Sequence, residues 1–315
     1  MPRWAGVITL AVALGACRAE SAGQAPALLT VAPLFGPVIG AEVIGGRVGG
    51  DVVTLLAGGI DLVRIDVPGS RASRVHLALP PGESCWSLAR LSDGSLWTLK
   101  GRRTLARVEE DGGIRELLPL AASHFGLFAA GDRLVFQEAT FTAPRPALLS
   151  GAIDGTARTR WSEITTRPFE GRARASAAAL NMVSCGAARA AERLCWFPDE
   201  AAVFLVGDDG ATRRIELSGL DVVPPETLLT SDNPRRPVRD AYIEDDRSLW
   251  ILSSGVPAAG QDDQPGGWIL ARYGKGGAPQ GRARLERPAR IILRAGAGRV
   301  VLLLSNGEVG EVKAW

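Results

Sequence analysis

A short phrase that recurs along the chain constrains its fold more than any other feature. A turn followed by an apolar, strand-like run appears as GGDVVTLL (Gly49 to Leu56), SDGSLWTL (Ser92 to Leu99) and AGDRLVFQ (Ala130 to Gln137). It returns as AERLCWF (Ala191 to Phe197), DDRSLWIL (Asp245 to Leu252) and AGRVVLLL (Ala297 to Leu304). Val52, Leu96, Leu134, Leu194, Leu249 and Val300 mark a period of about 50 residues, within the range of repeat architectures whose units are small sheets. A second phrase follows the first: another apolar run, a turn and a fourth run, as in Asp61 to Leu77, Thr104 to Leu117, Ala147 to Trp161, Ala202 to Leu217 and Trp268 to Leu285. Asp-Gly and Gly-Gly pairs at these turns supply the positive φ that tight hairpins require. Each unit therefore reads as four antiparallel strands.

The sixth unit holds only three runs, Arg290 to Ala295, Arg299 to Ser305 and Glu308 to Lys313, before the chain ends at Trp315. Leu28 to Leu34 (LLTVAPL) is extended and otherwise unassigned, so the missing outer strand is available at the other terminus. Pairing the two ends would close a ring and cover exposed edges. The expected fold is all-β: a six-bladed β-propeller over residues 27–315, with four-stranded antiparallel blades and an N-terminal strand joining the last blade. The pattern resembles the group that includes NHL-repeat proteins, gluconolactonase-like enzymes and many bacterial lipoproteins. Helical composition is confined to Arg172 to Leu180 and Gly186 to Glu192, and the second segment conflicts with a hairpin expected there.

Ahead of the repeats, Arg3 and the apolar run Ala5 to Leu14 read as an export signal too short to span a bilayer. Leu14, Gly15, Ala16 and Cys17 then resemble the lipobox of bacterial lipoproteins, which implies cleavage after residue 16 and lipidation of Cys17. The alternative is an ordinary secretory signal. Arg18 stands where an inner-membrane retention Asp would lie, so the resemblance implies the outer membrane of a two-membrane envelope. Residues 17–26 form a small, polar tether. Partners expected on this basis are the bacterial membrane and an envelope protein, peptide or glycan, with the chain monomeric.

Among 315 residues, 36 Lys and Arg balance 34 Asp and Glu, and the net charge of +2 leaves no electrostatic footprint for nucleic acid. A hydrophobic fraction of 46% excludes intrinsic disorder. Three Cys follow Cys17. An exported chain can oxidise them, and a hairpin centred near Ala190 would set Cys185 opposite Cys195, within bridging reach. Two buried free thiols are the alternative, and Cys85 stays unassigned.

In such a ring the connections between first and second, and third and fourth, strands of a blade emerge on one rim. Those between second and third strands, and between blades, emerge on the other. The long connections Glu138 to Ala147, Thr165 to Asn181, Asp221 to Arg239 and Ser253 to Gly267 all belong to the second rim, and long loops gathered on one side favour a binding surface. Candidate binding residues there are His124, Glu138, Phe141, Arg145, Phe169, Asn181, Arg235, Arg236, Arg239, Asp240, Asp262 and Asp263. The three arginines suit a carboxylate, phosphate or acidic sugar. Phe141, Phe169 and Trp268 suit sugars or peptides, although Trp268 also fits packing between blades. Asp240, Asp262 and Asp263 could hold a divalent cation, while Glu244, Asp245 and Asp246 fall on the opposite rim as solvated turn residues. Trp97, Phe136, Trp196 and Trp250 sit at equivalent strand positions and are expected in the core.

No metal site or cofactor is assigned. The only histidines, His76 and His124, fall on an outer and an inner strand. The Glu, two Asn and Asp of gluconolactonase-like enzymes do not map onto Asn181, Asn233 and Asn306. The expected function is a membrane-anchored binding or scaffolding module. The alternative is a metal-dependent lactonase or hydrolase whose channel site includes His124, Asn181 and Asp240.

Overall fold

The computed structural model describes residues 27–40, 43–48, 51–138, 145–151, 159–170, 177–186, 189, 191–220, 236–256 and 267–314. Two N-terminal strands, β1 (Ala27–Leu29) and β2 (Ala32–Phe35), precede the first blade. That blade is β3 (Val43–Val48), β4 (Val52–Ala57), β5 (Asp61–Asp66) and β6 (Arg71–His76). The second is β7 (Cys85–Arg90), β8 (Leu96–Lys100), β9 (Thr104–Val108) and β10 (Ile114–Pro119). The third is β11 (His124–Ala130), β12 (Arg133–Glu138), β13 (Leu149–Gly151) and β14 (Thr159–Arg160). A four-residue helix, α1 (Ala177–Leu180), leads into the fourth blade: β15 (Ser184–Cys185), β16 (Glu192–Trp196), β17 (Ala202–Gly207) and β18 (Thr212–Glu216). The fifth is β19 (Arg236–Ile243), β20 (Leu249–Val256), β21 (Gly267–Tyr273) and β22 (Pro279–Leu285). The sixth contains β23 (Ala289–Gly296), β24 (Arg299–Leu304) and β25 (Val309–Lys313). The chain is a six-bladed β-propeller.

The repeated phrase is apolar throughout because its strand is buried on both faces, and alternate residues serve different seams. In β20, Leu249 and Ile251 join the core between the fourth and fifth blades. Trp250 and Leu252 join the core between the fifth and sixth. In β16, Leu194 and Trp196 face the fifth blade while Cys195 faces the third. Six such clusters fill the six seams. Trp97, Phe136, Trp196 and Trp250 are all buried, as their recurrence implies.

Ring closure differs in detail from a single strand over Leu28 to Leu34. β2 pairs antiparallel with β25, Ala32 opposite Glu311 and Phe35 opposite Val309, and so completes the sixth blade. β1 runs parallel to β22 and adds a fifth strand to the fifth blade. The division falls at Val31, which is buried against Trp250, Leu285 and Ile292 in the seam between those blades. Burying that side chain takes the backbone off one sheet and onto the next.

The described residues of the segment 186–192 form no helix. Ser184 pairs with Trp196 and Cys185 with Cys195, and an isolated bridge links Arg189 to Glu192. The Cys185–Cys195 disulfide is formed, with the two Cα atoms 4.1 Å apart. Pairing and a covalent bridge outweigh alanine's helix preference, which is a few tenths of a kcal/mol per residue. Of the other Ala-rich segment, helix covers Ala177–Leu180; residues 172–176 lie outside the described set. Cys85 is a free thiol, fully buried, and burial pushes its pKa up.

In the fourth and fifth blades the third-to-fourth strand turn docks on the preceding blade through glycine. A Cβ on Gly210, at φ 86°, would lie 1.7 Å from the Trp161 carbonyl oxygen, and one on Gly277, at φ 85°, 2.1 Å from that of Glu216. Gly210→Ala is expected to cost about 3 kcal/mol, read as a lower urea midpoint. The chain carrying Cys17→Ser should show one reactive thiol when unfolded without reductant and three after reduction. Replacing both bridge cysteines with Ser should cost about 2–3 kcal/mol.

Candidate functional site

Strand order assigns every connection to a rim. The β12–β13 and β20–β21 connections join second to third strands, and the β14–β15 and β18–β19 connections pass between blades. All four emerge on the same rim. Phe141, Arg235, Asp262 and Asp263 lie outside the described residues, as do Cys17 with its tether and the side chain of Glu138. Two connections are shorter than expected. β19 begins at Arg236 and β20 runs to Val256, so Arg236 and Arg239 belong to a strand and not to a loop patch. Arg236 pairs with Ser254 across the blade.

Where the β14–β15 connection is described, one arginine organises it. Arg167 donates through both Nη atoms to Asp199, at 2.9 and 2.7 Å, and through Nη1 to Glu200 at 2.8 Å. Its Nη2 also donates to the Leu180 carbonyl. The guanidinium lies 4.1 Å from the centre of the Phe197 ring and 5.1 Å from that of Phe169. Asn181, itself buried, holds the same segment by its backbone: its Oδ1 accepts from Arg167 N at 2.8 Å and its Nδ2 donates to Arg167 O at 3.0 Å. Gln137 Nε2 in turn donates to the Asn181 carbonyl at 2.9 Å. Asn181 is thus a positioning residue whose amide is already engaged.

Arg145 is exposed, and its backbone N donates to Thr166 Oγ1 at 3.0 Å, tying the β12–β13 and β14–β15 connections together. His124 is fully buried, edge-on to Phe136, with its backbone N donating to the Arg102 carbonyl. Asp240 is buried and accepts from Ile292 N at 2.6 Å, a bond between the fifth and sixth blades. The structure therefore uses His124, Asn181 and Asp240 within the scaffold. Among the described residues, no group of three or more His, Cys, Asp or Glu could hold a metal ion. Glu244, Asp245 and Asp246 lie on the other rim and are paired there, Glu244 and Asp246 with Arg272 and Asp245 with Arg189.

Two further arginine–aromatic stacks stand on the long-loop rim. Arg102, in the β8–β9 turn, places its guanidinium 3.5 Å from the centre of the Trp86 ring and 5.4 Å from that of Phe125. Arg239 lies 4.7 Å from the centre of the Trp268 ring. Trp86, Arg102, Phe125, Arg239 and Trp268 are all half-buried. Arg102, Trp86, Phe125 and Arg167 went unmarked in the sequence. The available clue was position, since Trp86 and Phe125 each stand second in an inner strand, near the channel mouth. Physically this rim offers aromatic faces and guanidinium edges, a combination suited to sugars, aromatic side chains and carboxylates.

No protein-family model and no curated protein matches the sequence. Solved structures do match. A catalytically inactive variant of virginiamycin B lyase from Staphylococcus aureus, crystallised with quinupristin, is 13% identical, covers 88% of this chain and 82% of its own, and has a TM-score of 0.51. A member of the DUF4221 family from Bacteroides vulgatus is 10% identical over 90% of this chain and 95% of its own, at a TM-score of 0.56. A gluconolactonase from Xanthomonas campestris is 13% identical over 88% of both chains, at 0.48. At these identities the likeness is one of fold.

Arg167→Ala is expected to lower stability by about 2–3 kcal/mol, because buried Asp199 loses its charged donor while half-buried Glu200 keeps only Arg214. Arg102→Ala should cost less than about 1 kcal/mol, since only stacking is lost. Urea melts of the two variants make the comparison.

Proposed function

We propose that the chain is an exported lipoprotein, anchored through Cys17, whose propeller serves as a binding or scaffolding module for a protein, peptide or glycan of the bacterial envelope. The observation that carries this is the asymmetry of the ring. The long connections emerge on one rim, and that same rim presents the Trp86–Arg102–Phe125 and Arg239–Trp268 stacks half-open to solvent. On the opposite rim Arg189 pairs with Asp245 and Arg247 with Glu192. A scaffold with tight turns on one side and aromatic–guanidinium stacks among long loops on the other suits recognition of a partner laid across the channel mouth.

The lipobox supports delivery to a membrane face, with residues 17–26 as the tether. Engagement of the Asn181 and Asp240 side chains in scaffold hydrogen bonds favours binding over channel chemistry, because a catalytic set at the channel would draw on them. Cell fractionation with Cys17→Ser tests the anchor: the protein should move from the membrane to the soluble fraction, and unchanged fractionation would refute lipidation. For the face, crosslinking in intact cells should recover a partner with the wild-type chain. Recovery should fall at least tenfold with Trp86→Ala combined with Trp268→Ala, while a pair on the opposite rim, Arg189→Ala with Arg247→Ala, leaves it unchanged.

A further inference from the structure

The seam between the first and second blades carries a group of side chains that the binding face does not use. Arg64 on β5 stands opposite Thr54 on β4. Leu62 and Leu56, two residues away along those strands, belong to the core shared with Cys85, Leu88, Leu96 and Val108 of the second blade. Strand alternation therefore turns Arg64 and Thr54 toward the second blade as well. From the other side, Arg90 at the end of β7 donates through Nη2 to Thr54 Oγ1 at 3.0 Å. Two guanidinium groups enter one seam from opposite blades, next to the first-to-second strand turns and on the rim away from the long loops.

What they lack there is an anionic partner. Among the described residues no carboxylate pairs with either arginine, and the Nε atoms of both are buried without a hydrogen-bond partner. The side chains are half-buried, so solvent reaches part of each. Burial, and after it the charge of Arg64, pull the Arg90 pKa down. Arg167 and Arg272 also leave a buried Nε without a partner, but their Nη groups meet acids, Asp199 and Glu244, and Arg102 lies against the Trp86 ring. Like charges with idle buried donors cost stability unless an anion lies between them.

We propose that the seam holding Arg64, Arg90 and Thr54 is an oxyanion-binding site, in which one phosphate or carboxylate group accepts hydrogen bonds from both guanidinium groups. Guanidinium forks match the geometry of such groups. The site is independent of the partner-binding rim.

Thermal melting of the purified full chain tests it, with inorganic phosphate and acetate as probes and chloride exchanged at constant ionic strength. The wild-type midpoint should rise with phosphate and saturate, as binding to the folded state requires. Phosphate also stabilises proteins generally through exclusion from their surface, and Arg64→Gln and Arg90→Gln should retain only that non-saturating part. In chloride alone Arg64→Gln should melt at or above the wild type, because repulsion is relieved and no hydrogen bond is lost. A saturating rise with acetate as well extends the site to carboxylates, and a rise with phosphate alone confines it to phosphate groups. Identical phosphate responses in the wild type and Arg64→Gln overturn the proposal. So does an Arg64→Gln midpoint several degrees below the wild type in chloride, which would make the arginine a packing element. Should Arg90→Gln fail to fold for want of its bond to Thr54, Arg64→Gln decides the matter alone.

Discussion

Pairing of Ala32–Phe35 with Val309–Lys313 joins the two ends of the chain, and the six seams depend on that junction. A blade in this ring has no core of its own. Each sheet buries both faces against neighbours, so an open ring would leave two apolar faces in water. Closure covers them, and Val31 strengthens it by entering the seam between the fifth and sixth blades while β1 lies along the outer strand of the fifth. One short segment thereby holds two blades together.

A ring closed in this way is stiff where the seams are full and leaves its two rims to diverge. Tight third-to-fourth strand turns lock the fourth blade to the third and the fifth to the fourth, with Gly210 and Gly277 packed against carbonyl oxygens. The other rim receives the connections between blades, where chain length is free to grow. Arg167 shows how such a connection is still held to the scaffold. Its bidentate pairing with Asp199 and its contact with Leu180 fix the loop ahead of the fourth blade, and the Cys185–Cys195 bridge fixes the strand that follows.

The arginine content, reflected in a chain with almost no lysine, acquires different meanings in different places. Arg167 and Arg272 are matched by acids, Arg102 and Arg239 lie against aromatic rings, and Arg64 and Arg90 share a seam without a carboxylate. Only the local partner separates a structural guanidinium from one available to a ligand, and composition carries no record of partners.

The sequence by itself determined the blade count and the strand order within a blade, and it favoured the disulfide over two buried thiols. These follow from local rules: apolar runs buried on both faces, turns that need positive φ, and cysteines set opposite one another across a hairpin. It also located the rim of long connections and the core role of Trp97, Phe136, Trp196 and Trp250. The tertiary structure alone decided the split of the N-terminal segment at Val31, the pairing of Arg189 with Glu192 where composition favours helix, and the placement of Arg236 and Arg239 within a strand. It also decided that Asn181 and Asp240 spend their polar atoms on the scaffold and that Arg102 meets Trp86 and Phe125. Each of these depends on which residue of another blade lies across a seam or on the same rim. That distance is set by closing the ring, and no stretch of sequence shorter than the whole chain encodes it.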